Sequence, residues 1–150
     1  MVLSDSVVIA GSRGLGLHAA TAFLLAGAER VIITARKAGG AEGIDQAVER
    51  LNKLPVSGKA VGIAANVAET EDIERLVKVL QATEDKIDIL VANAGATWGG
   101  PFEPTPDWSS KKILDLNVRG IFNLVRLWGY SILSGILQFW LIPSLGRFLS

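Results

Sequence analysis

Residues 7–16 read Val-Val-Ile-Ala-Gly-Ser-Arg-Gly-Leu-Gly, and this stretch decides the fold. An apolar run typical of a buried strand passes directly into a glycine-rich turn, and a helical pattern follows from Leu17. Glycines let the backbone turn tightly and approach a pyrophosphate, and the N-terminus of the following helix offers free N–H groups to the anion. The order strand, glycine turn, helix therefore predicts a dinucleotide site. A plain strand-to-helix connection is the alternative for this motif alone.

Strand and helix patterns continue to alternate after the glycine turn. Further strands are predicted over residues 30–34, 59–65 and 87–92, and helices over residues 43–54 and 70–82. Thr70 is the expected N-cap of the second of these helices, whose apolar face comprises Ile73, Leu76, Val77 and Leu80. Because the strands are apolar on both faces, the pattern predicts an α/β fold with a parallel sheet covered by helices on both sides.

Four segments resemble the short-chain dehydrogenase/reductase family. Residues 9–16 correspond to its Thr-Gly-x-x-x-Gly-x-Gly motif, residues 92–95 to its Asn-Asn-Ala-Gly, and Asn66 with Val67 to the Asp-Val after its third strand. Asn117 falls on the asparagine of the family's active-site tetrad. Residues 93–102 are similar to its fungal and bacterial 3-oxoacyl reductases of the rhamnolipid type. The resemblance implies an incomplete doubly wound parallel sheet of the Rossmann type, with strand order 3-2-1-4 and flanking helices.

Three residues depart from the family motifs. Ala10 replaces the first motif glycine, which is tolerable only if the backbone there does not have a positive φ. Asn66 replaces an aspartate that accepts a hydrogen bond from the adenine amine, so the acceptor loses its charge. Ala92 replaces an asparagine that braces the sheet. Each departure is expected to weaken the site without abolishing it.

The resemblance implies a nicotinamide cofactor, and the end of the second predicted strand favours NADP(H). A site for NAD usually has an acidic residue there, which accepts the ribose hydroxyls, whereas this chain has Thr34-Ala35-Arg36-Lys37. Arg13 and Arg36 can both reach a 2′-phosphate, although solvated surface arginines are the alternative. The other implied cofactor-binding residues are Gly11, Ser12, Gly14, Leu15 and Gly16 at the phosphates, Asn66 and Asn93 at the adenine and ribose, and Arg126, whose alternative is a solvated helix charge.

The family's catalytic Tyr-x-x-x-Lys is absent from this sequence. The only tyrosine is Tyr130, the residue four positions later is Ser134, and no lysine follows Lys112. Asn117 is the one catalytic residue that the resemblance implies. We therefore expect the cofactor-binding part of an NADPH-dependent carbonyl or 3-oxoacyl reductase, whose complete relatives act on small-molecule carbonyl substrates.

A catalytically inert nucleotide-binding or interaction fragment is the alternative to this enzyme. Such a fragment would pair with a full-length relative. The expected contact for a homo- or hetero-oligomer is the helix that contains Asn117, because in the family this helix helps to form the dimer interface.

The last 23 residues no longer resemble the family. We therefore expect a dinucleotide-binding domain over residues 1–127 and an apolar tail over residues 128–150. No charged residue lies between Arg126 and Arg147, and the span approaches the roughly 20 residues that cross a bilayer. A truncation caused by an altered reading frame or a retained intron is the preferred interpretation, ahead of a buried or docking segment and of a membrane anchor.

Composition excludes several other classes of function. The formal net charge is zero and no basic run occurs, so a nucleic-acid partner is not expected. The absence of cysteine fits a reducing compartment, and the N-terminus lacks the pattern of a signal peptide, so we expect a cytoplasmic protein. The sole histidine, His18, has no cysteine or carboxylate at ligand spacing, so a metal site is not expected.

Overall fold

The computed structural model describes residues 6–40, 43–101 and 103–129. Its four strands are β1 (Ser6–Ala10), β2 (Arg30–Ala35), β3 (Lys59–Ala64) and β4 (Ile89–Val91). They form one parallel sheet in the order β3-β2-β1-β4. The predicted α/β class and the predicted strand order 3-2-1-4 are confirmed.

Five α-helices occur in the described residues: α1 (Gly14–Leu25), α2 (Ile44–Asn52), α3 (Thr70–Thr83), α4 (Asp107–Leu114) and α5 (Ile121–Gly129). A π-helical segment, Asp115–Gly120, joins α4 to α5, so the chain is helical without a break from residue 107 to residue 129. A π-helix inserts one extra residue per turn and often marks a functional site.

Alternate residues of each strand pack into two separate hydrophobic cores. Val7 and Ile9 of β1 face the core formed with α1 and α2, whereas Val8 and Ala10 face the core formed with α3 and α5. All four side chains are at most 1% exposed. This burial on both faces explains the nearly continuous apolar strands, because side chains of successive strand residues point to opposite sides of a sheet.

The structure corrects one helix cap and shortens the fourth strand. Glu69, not Thr70, is the N-cap residue of α3, and the Thr70 hydroxyl instead accepts a hydrogen bond from Asn123. The prediction of Thr70 as the cap is therefore wrong. Strand β4 has three residues where six were predicted, because only Ile89–Val91 lie opposite paired residues of β1. The flanking Ile87 and Ala92 are nonetheless buried.

Only the first two residues of the predicted tail fall within the described part of the chain. Helix α5 continues to Gly129, and Trp128 is fully buried in the core beside α3. Tyr130 and Ser134 lie outside the described residues. Within the described ranges, no helix is both long enough and apolar enough to cross a membrane.

Candidate functional site

A cleft of about 730 Å³ lies at the carboxyl ends of the strands. The segments that follow all four strands contribute to its wall, and Leu116 of the π-helical segment completes it. The chain adds β2 and β3 on one side of β1 and then adds β4 on the other side, so the strand order reverses at β1. Ligands of open α/β sheets bind at such a switch point. The volume falls within the roughly 300–1,000 Å³ of ligand pockets.

The glycine turn after β1 approaches the neighbouring loop too closely for side chains. Gly11 has a φ of +145°, and a Cβ atom there would lie 2.6 Å from the side-chain nitrogen of Asn93. A Cβ atom at Gly16 would lie 2.8 Å from the same nitrogen. Ala10 ends the extended strand β1, so the departure at this position is compatible with a side chain.

The N-terminus of α1 opens onto the cleft. Ser12, Arg13, Gly14 and Leu15 line it, and the first turn of α1 contains no acidic residue. The first N–H groups of an α-helix have no partner within the helix, and the helix dipole is positive at that end. This end of the cleft therefore favours an anion, and a phosphate group fits its chemistry.

Two arginines face the same cleft, and none of its described lining residues is acidic. Arg13 comes from the glycine turn and Arg36 from the segment just after β2. Thr34, the last inward-facing residue of β2, is buried, and its hydroxyl has no hydrogen-bond partner among the described residues. The lining residues thus carry positive charge only, where a site for NAD usually has a carboxylate.

Asn93 ties the end of β4 to the glycine turn. Its side-chain nitrogen donates a hydrogen bond to the carbonyl of Ala10 at 3.1 Å, and the residue is 8% exposed. Its side-chain oxygen is buried without a partner in the described part of the chain. Asn93 lines the cleft and holds the end of β4 to the end of β1.

Asn66 lines the cleft from the loop after β3. Its side-chain oxygen accepts a hydrogen bond from the backbone N–H of Ala68, and its own backbone N–H donates to the Asp72 carboxylate at 2.7 Å. The hydrogen bond from Asn66, together with Arg75, holds the pKa of Asp72 below its ordinary value. Asp72 was not anticipated from the sequence, because only the folded loop brings it to Asn66.

Asn117 lies in the π-helical segment and braces the opposite wall of the cleft. Its side chain accepts a hydrogen bond from the N–H of Ala96 at 2.9 Å and donates one to the carbonyl of Ala96 at 2.8 Å. The segment that it holds, residues 94–97, lines the cleft, whereas Asn117 itself does not. Asn117 therefore holds the backbone of Ala96, which is 21 residues away along the chain.

Not every predicted site residue reaches the cleft wall. Eight of them line it: Gly11, Ser12, Arg13, Gly14, Leu15, Arg36, Asn66 and Asn93. Gly16 lies behind the wall, where it permits the close packing on Asn93. Arg126 projects from α5, exposed, with its guanidinium 3.5 Å from Asn123, and the structure does not bring it to the cleft. Ala94, Gly95, Thr97 and Leu116 join the lining without having been predicted.

The described residues contain no group of three histidine, cysteine or carboxylate side chains that could hold a metal ion. His18 is on the exposed side of α1, with its ring nitrogen 2.7 Å from the carbonyl of Gly14. Its contact is the preceding turn of its own helix, so His18 takes no part in the cleft.

Comparisons with known proteins agree with this geometry. A family model described as short chain dehydrogenase matches residues 6–133. The rhamnolipids biosynthesis 3-oxoacyl-[acyl-carrier-protein] reductase of Pseudomonas aeruginosa is 33% identical over 121 residues, which are 81% of this chain and 44% of that protein. A 3alpha-hydroxysteroid dehydrogenase of Mediterraneibacter gnavus is 30% identical over 82% of this chain and 48% of its own length.

Solved structures give the same result. The Pseudomonas aeruginosa RhlG/NADP active-site complex matches with a TM-score of 0.75 and 32% identity, over 85% of this chain and 48% of that one. A metagenomic short-chain oxidoreductase in complex with NADP matches with a TM-score of 0.73 and 26% identity, over 84% of this chain and 55% of that one. The chain thus spans about half the length of the relatives that it matches.

Proposed function

Since the chain belongs to the short chain dehydrogenase family, we propose that its described residues form the cofactor-binding part of an NADPH-dependent oxidoreductase of the carbonyl or 3-oxoacyl reductase type. The observation that carries the proposal is the charge of the cleft: Arg13 and Arg36 line it, and among the described residues no carboxylate does. A 2′-phosphate makes charge-assisted hydrogen bonds to guanidinium groups, and these are stronger than hydrogen bonds between neutral groups.

The glycine turn supplies the fit for the pyrophosphate. Because Gly11 and Gly16 have no side chains, the turn packs closely against Asn93, and its backbone is accessible to a ligand. Space is open around Gly14, where no described atom beyond the neighbouring residues and the backbone of its own helix lies within 4 Å of the position that a Cβ would occupy. The first N–H groups of α1 would donate hydrogen bonds to the phosphate oxygens.

The adenine and nicotinamide would lie on opposite sides of that turn. Arg36 and Asn66 follow β2 and β3, so the adenosine with its 2′-phosphate belongs on the side of these strands. Residues 94–97 follow β4 on the other side, so the nicotinamide belongs next to the segment that Asn117 braces. When bound, the reduced nicotinamide supplies a hydride for a carbonyl carbon.

The 3-oxoacyl reductase type is supported by the similarity to the Pseudomonas aeruginosa 3-oxoacyl-[acyl-carrier-protein] reductase. This sequence offers no tyrosine with a lysine four residues later, so the proton for the carbonyl oxygen has no source of the family's kind within the 150 residues. In this proposal Asn117 positions the cleft wall through Ala96 and does not itself move a proton.

Nucleotide titration tests the proposal. Titrating NADPH and NADH into the 150-residue chain, with the fluorescence of the reduced nicotinamide as the signal, should give an affinity for NADPH that is about 10- to 100-fold higher. The pair 2′,5′-ADP and 5′-AMP is the matched control, because these ligands differ only in the 2′-phosphate. Equal affinities within both pairs, or tighter binding of NADH, would overturn the assignment to NADPH.

An apolar stripe supports a second candidate function, an interaction fragment that pairs with another copy or with a full-length relative. Leu114, Val118 and Phe122 lie four residues apart along the continuous helix, and they are 57%, 59% and 66% exposed. Exposed apolar surface drives association between proteins. Light scattering should find a dimer that Val118→Glu converts to a monomer, whereas a monomeric wild-type chain that binds no relative would exclude this candidate.

A further inference from the structure

The loop after β3 forms one wall of the cleft, although it has no regular secondary structure of its own. Ala65, Asn66 and Val67 line the cleft, and α3 begins only at Thr70. A loop without a backbone ladder keeps one conformation only if other groups hold it. The contacts of this loop therefore determine where Asn66 stands.

Asp72, in the first turn of α3, makes the shortest of these contacts. Its Oδ2 accepts the backbone N–H of Asn66 at 2.7 Å, and its Oδ1 accepts Nη2 of Arg75 at 3.1 Å. The same Arg75 nitrogen donates to the carbonyl of Ala64, the last residue of β3, at 2.8 Å. Asp72 and Arg75 thus close a ring of hydrogen bonds that joins the end of β3 to the start of α3.

The charge of Asp72 suits this position. The hydrogen bond from Asn66 and the guanidinium of Arg75 lower the pKa of the carboxyl, so it is ionised at neutral pH. A carboxylate in the first turn of a helix is also stabilised by the helix dipole. Its two oxygens therefore remain hydrogen-bond acceptors at every pH at which nucleotide binding would be measured.

Contacts from the π-helical segment hold the other side of the same loop. Arg119 donates a hydrogen bond to the carbonyl of Ala68 at 3.0 Å, and Gly120 packs directly against the carbonyl oxygen of Val67. The loop is thus held between α3 and the π-helical segment. Asn66 itself donates its backbone N–H to Asp72, and its two oxygens accept hydrogen bonds from the N–H groups of Ala68 and Glu69 within the same loop. Asp72 thus supplies the side-chain contact that joins Asn66 to α3.

We propose that Asp72 is a positioning residue for the adenosine half of the cofactor, acting through Asn66 and held in place by Arg75. Asp72 does not line the cleft, so it acts on the ligand only through the loop. This inference rests on the proposed function, which puts the adenosine beside β2 and β3. The affinity for adenosine would then depend partly on Asp72, whose carboxylate lies outside the cleft.

The test compares variants against the two halves of the cofactor. Asp72→Asn should lower the affinity for NADPH and for 2′,5′-ADP about tenfold, and it should leave the affinity for reduced nicotinamide mononucleotide unchanged. Glu71→Gln is the matched control, because Glu71 belongs to the same turn and its side chain makes no hydrogen bond or ion pair with the described residues. Glu71→Gln should change neither affinity.

The outcomes distinguish a role of Asp72 in positioning Asn66 from a role in stabilising α3 alone. If both halves of the cofactor lose affinity equally, Asp72 only stabilises α3 and the inference is wrong. If Asp72→Asn does not fold, Arg75→Gln decides, because it keeps the carboxylate and should still weaken 2′,5′-ADP alone. A wild-type chain that binds no nucleotide overturns the proposed function as well, whereas wild-type binding with unchanged variant affinities overturns only this inference.

Discussion

Gly11 and Gly14, three residues apart, exclude a side chain for different reasons. Both have a positive φ, +145° at Gly11 and +54° at Gly14. A Cβ atom at Gly11 would meet the side chain of Asn93 at 2.6 Å, whereas a Cβ atom at Gly14 would meet nothing within 4 Å. The first position therefore adds a steric conflict to the backbone strain, and the second has the strain alone.

Replacing each glycine by alanine separates the two effects. Gly14→Ala should cost about 1–2 kcal/mol, the strain of a left-handed residue. Gly11→Ala should cost more, because a rare backbone conformation costs about 1–3 kcal/mol by itself and Asn93 must then also move. Urea unfolding of both variants measures the difference. Equal stabilities would mean that Asn93 moves aside without cost.

Arg36 is expected to set the preference for the 2′-phosphate. Arg36→Ala should weaken NADPH about 10- to 100-fold, because a hydrogen bond to a charged group contributes about 1.5–3 kcal/mol, and NADH should be unaffected. Lys59→Ala is the control: Lys59 is an exposed cation at the start of β3, at the opposite edge of the sheet. If Arg36→Ala weakened both nucleotides equally, Arg36 would contribute only general positive potential.

At the scale of elements, the π-helical segment connects the long helix to both loops of the cleft. Asn117 holds Ala96 on the β4 side, and Gly120 packs on Val67 on the β3 side. Leu116, which precedes Asn117, lines the cleft itself. The wider turn lets one short segment face two loops that follow different strands.

Removal of the Asn117 side chain should therefore loosen one wall. Asn117→Ala loses two hydrogen bonds and should lower the free energy of unfolding by about 1–3 kcal/mol. Asn123→Ala, on α5, loses the bond to Thr70 and a long, exposed one from Arg126, and it should cost about 0.5–1.5 kcal/mol. Only Asn117→Ala should also weaken reduced nicotinamide mononucleotide. An unchanged affinity for that ligand would show that the wall keeps its position without Asn117.

At the scale of the whole molecule, the described residues supply a charged cleft but leave the proton donor unassigned. A positioned general acid contributes roughly 10² to 10⁴ in rate. The family's donor is a tyrosine paired with a lysine, and the residue four positions after Tyr130 is Ser134.

We therefore expect the 150-residue chain to bind NADPH without turning over carbonyl substrates at a rate above background. NADPH oxidation, followed by absorbance with 3-oxoacyl thioesters and simple ketones, measures this. Tyr130→Phe is the control variant. Turnover by the wild-type chain that disappears in Tyr130→Phe would contradict the prediction and make Tyr130 the proton donor.

Much of the molecule follows from local sequence. The strand and helix patterns were predictable, because apolar periodicity is a property of neighbouring residues. The strand order was implied by the resemblance of the motifs to a known family. The positions of Gly11, Arg36 and Asn66 at one cleft were predictable for a related reason. Each follows a strand, and the carboxyl ends of parallel strands meet at one edge of the sheet.

Only the tertiary structure decided which backbone groups the polar side chains reach. Thr70 was the natural N-cap by residue type, yet its hydroxyl pairs with Asn123, 53 residues away. Arg126 had the charge for a phosphate, but it lies on an exposed part of α5. The sequence did not point to Asp72, because its role depends on how the end of β3 packs against the start of α3. Periodicity fixes the face on which a side chain lies, whereas its partner depends on how the elements pack against one another.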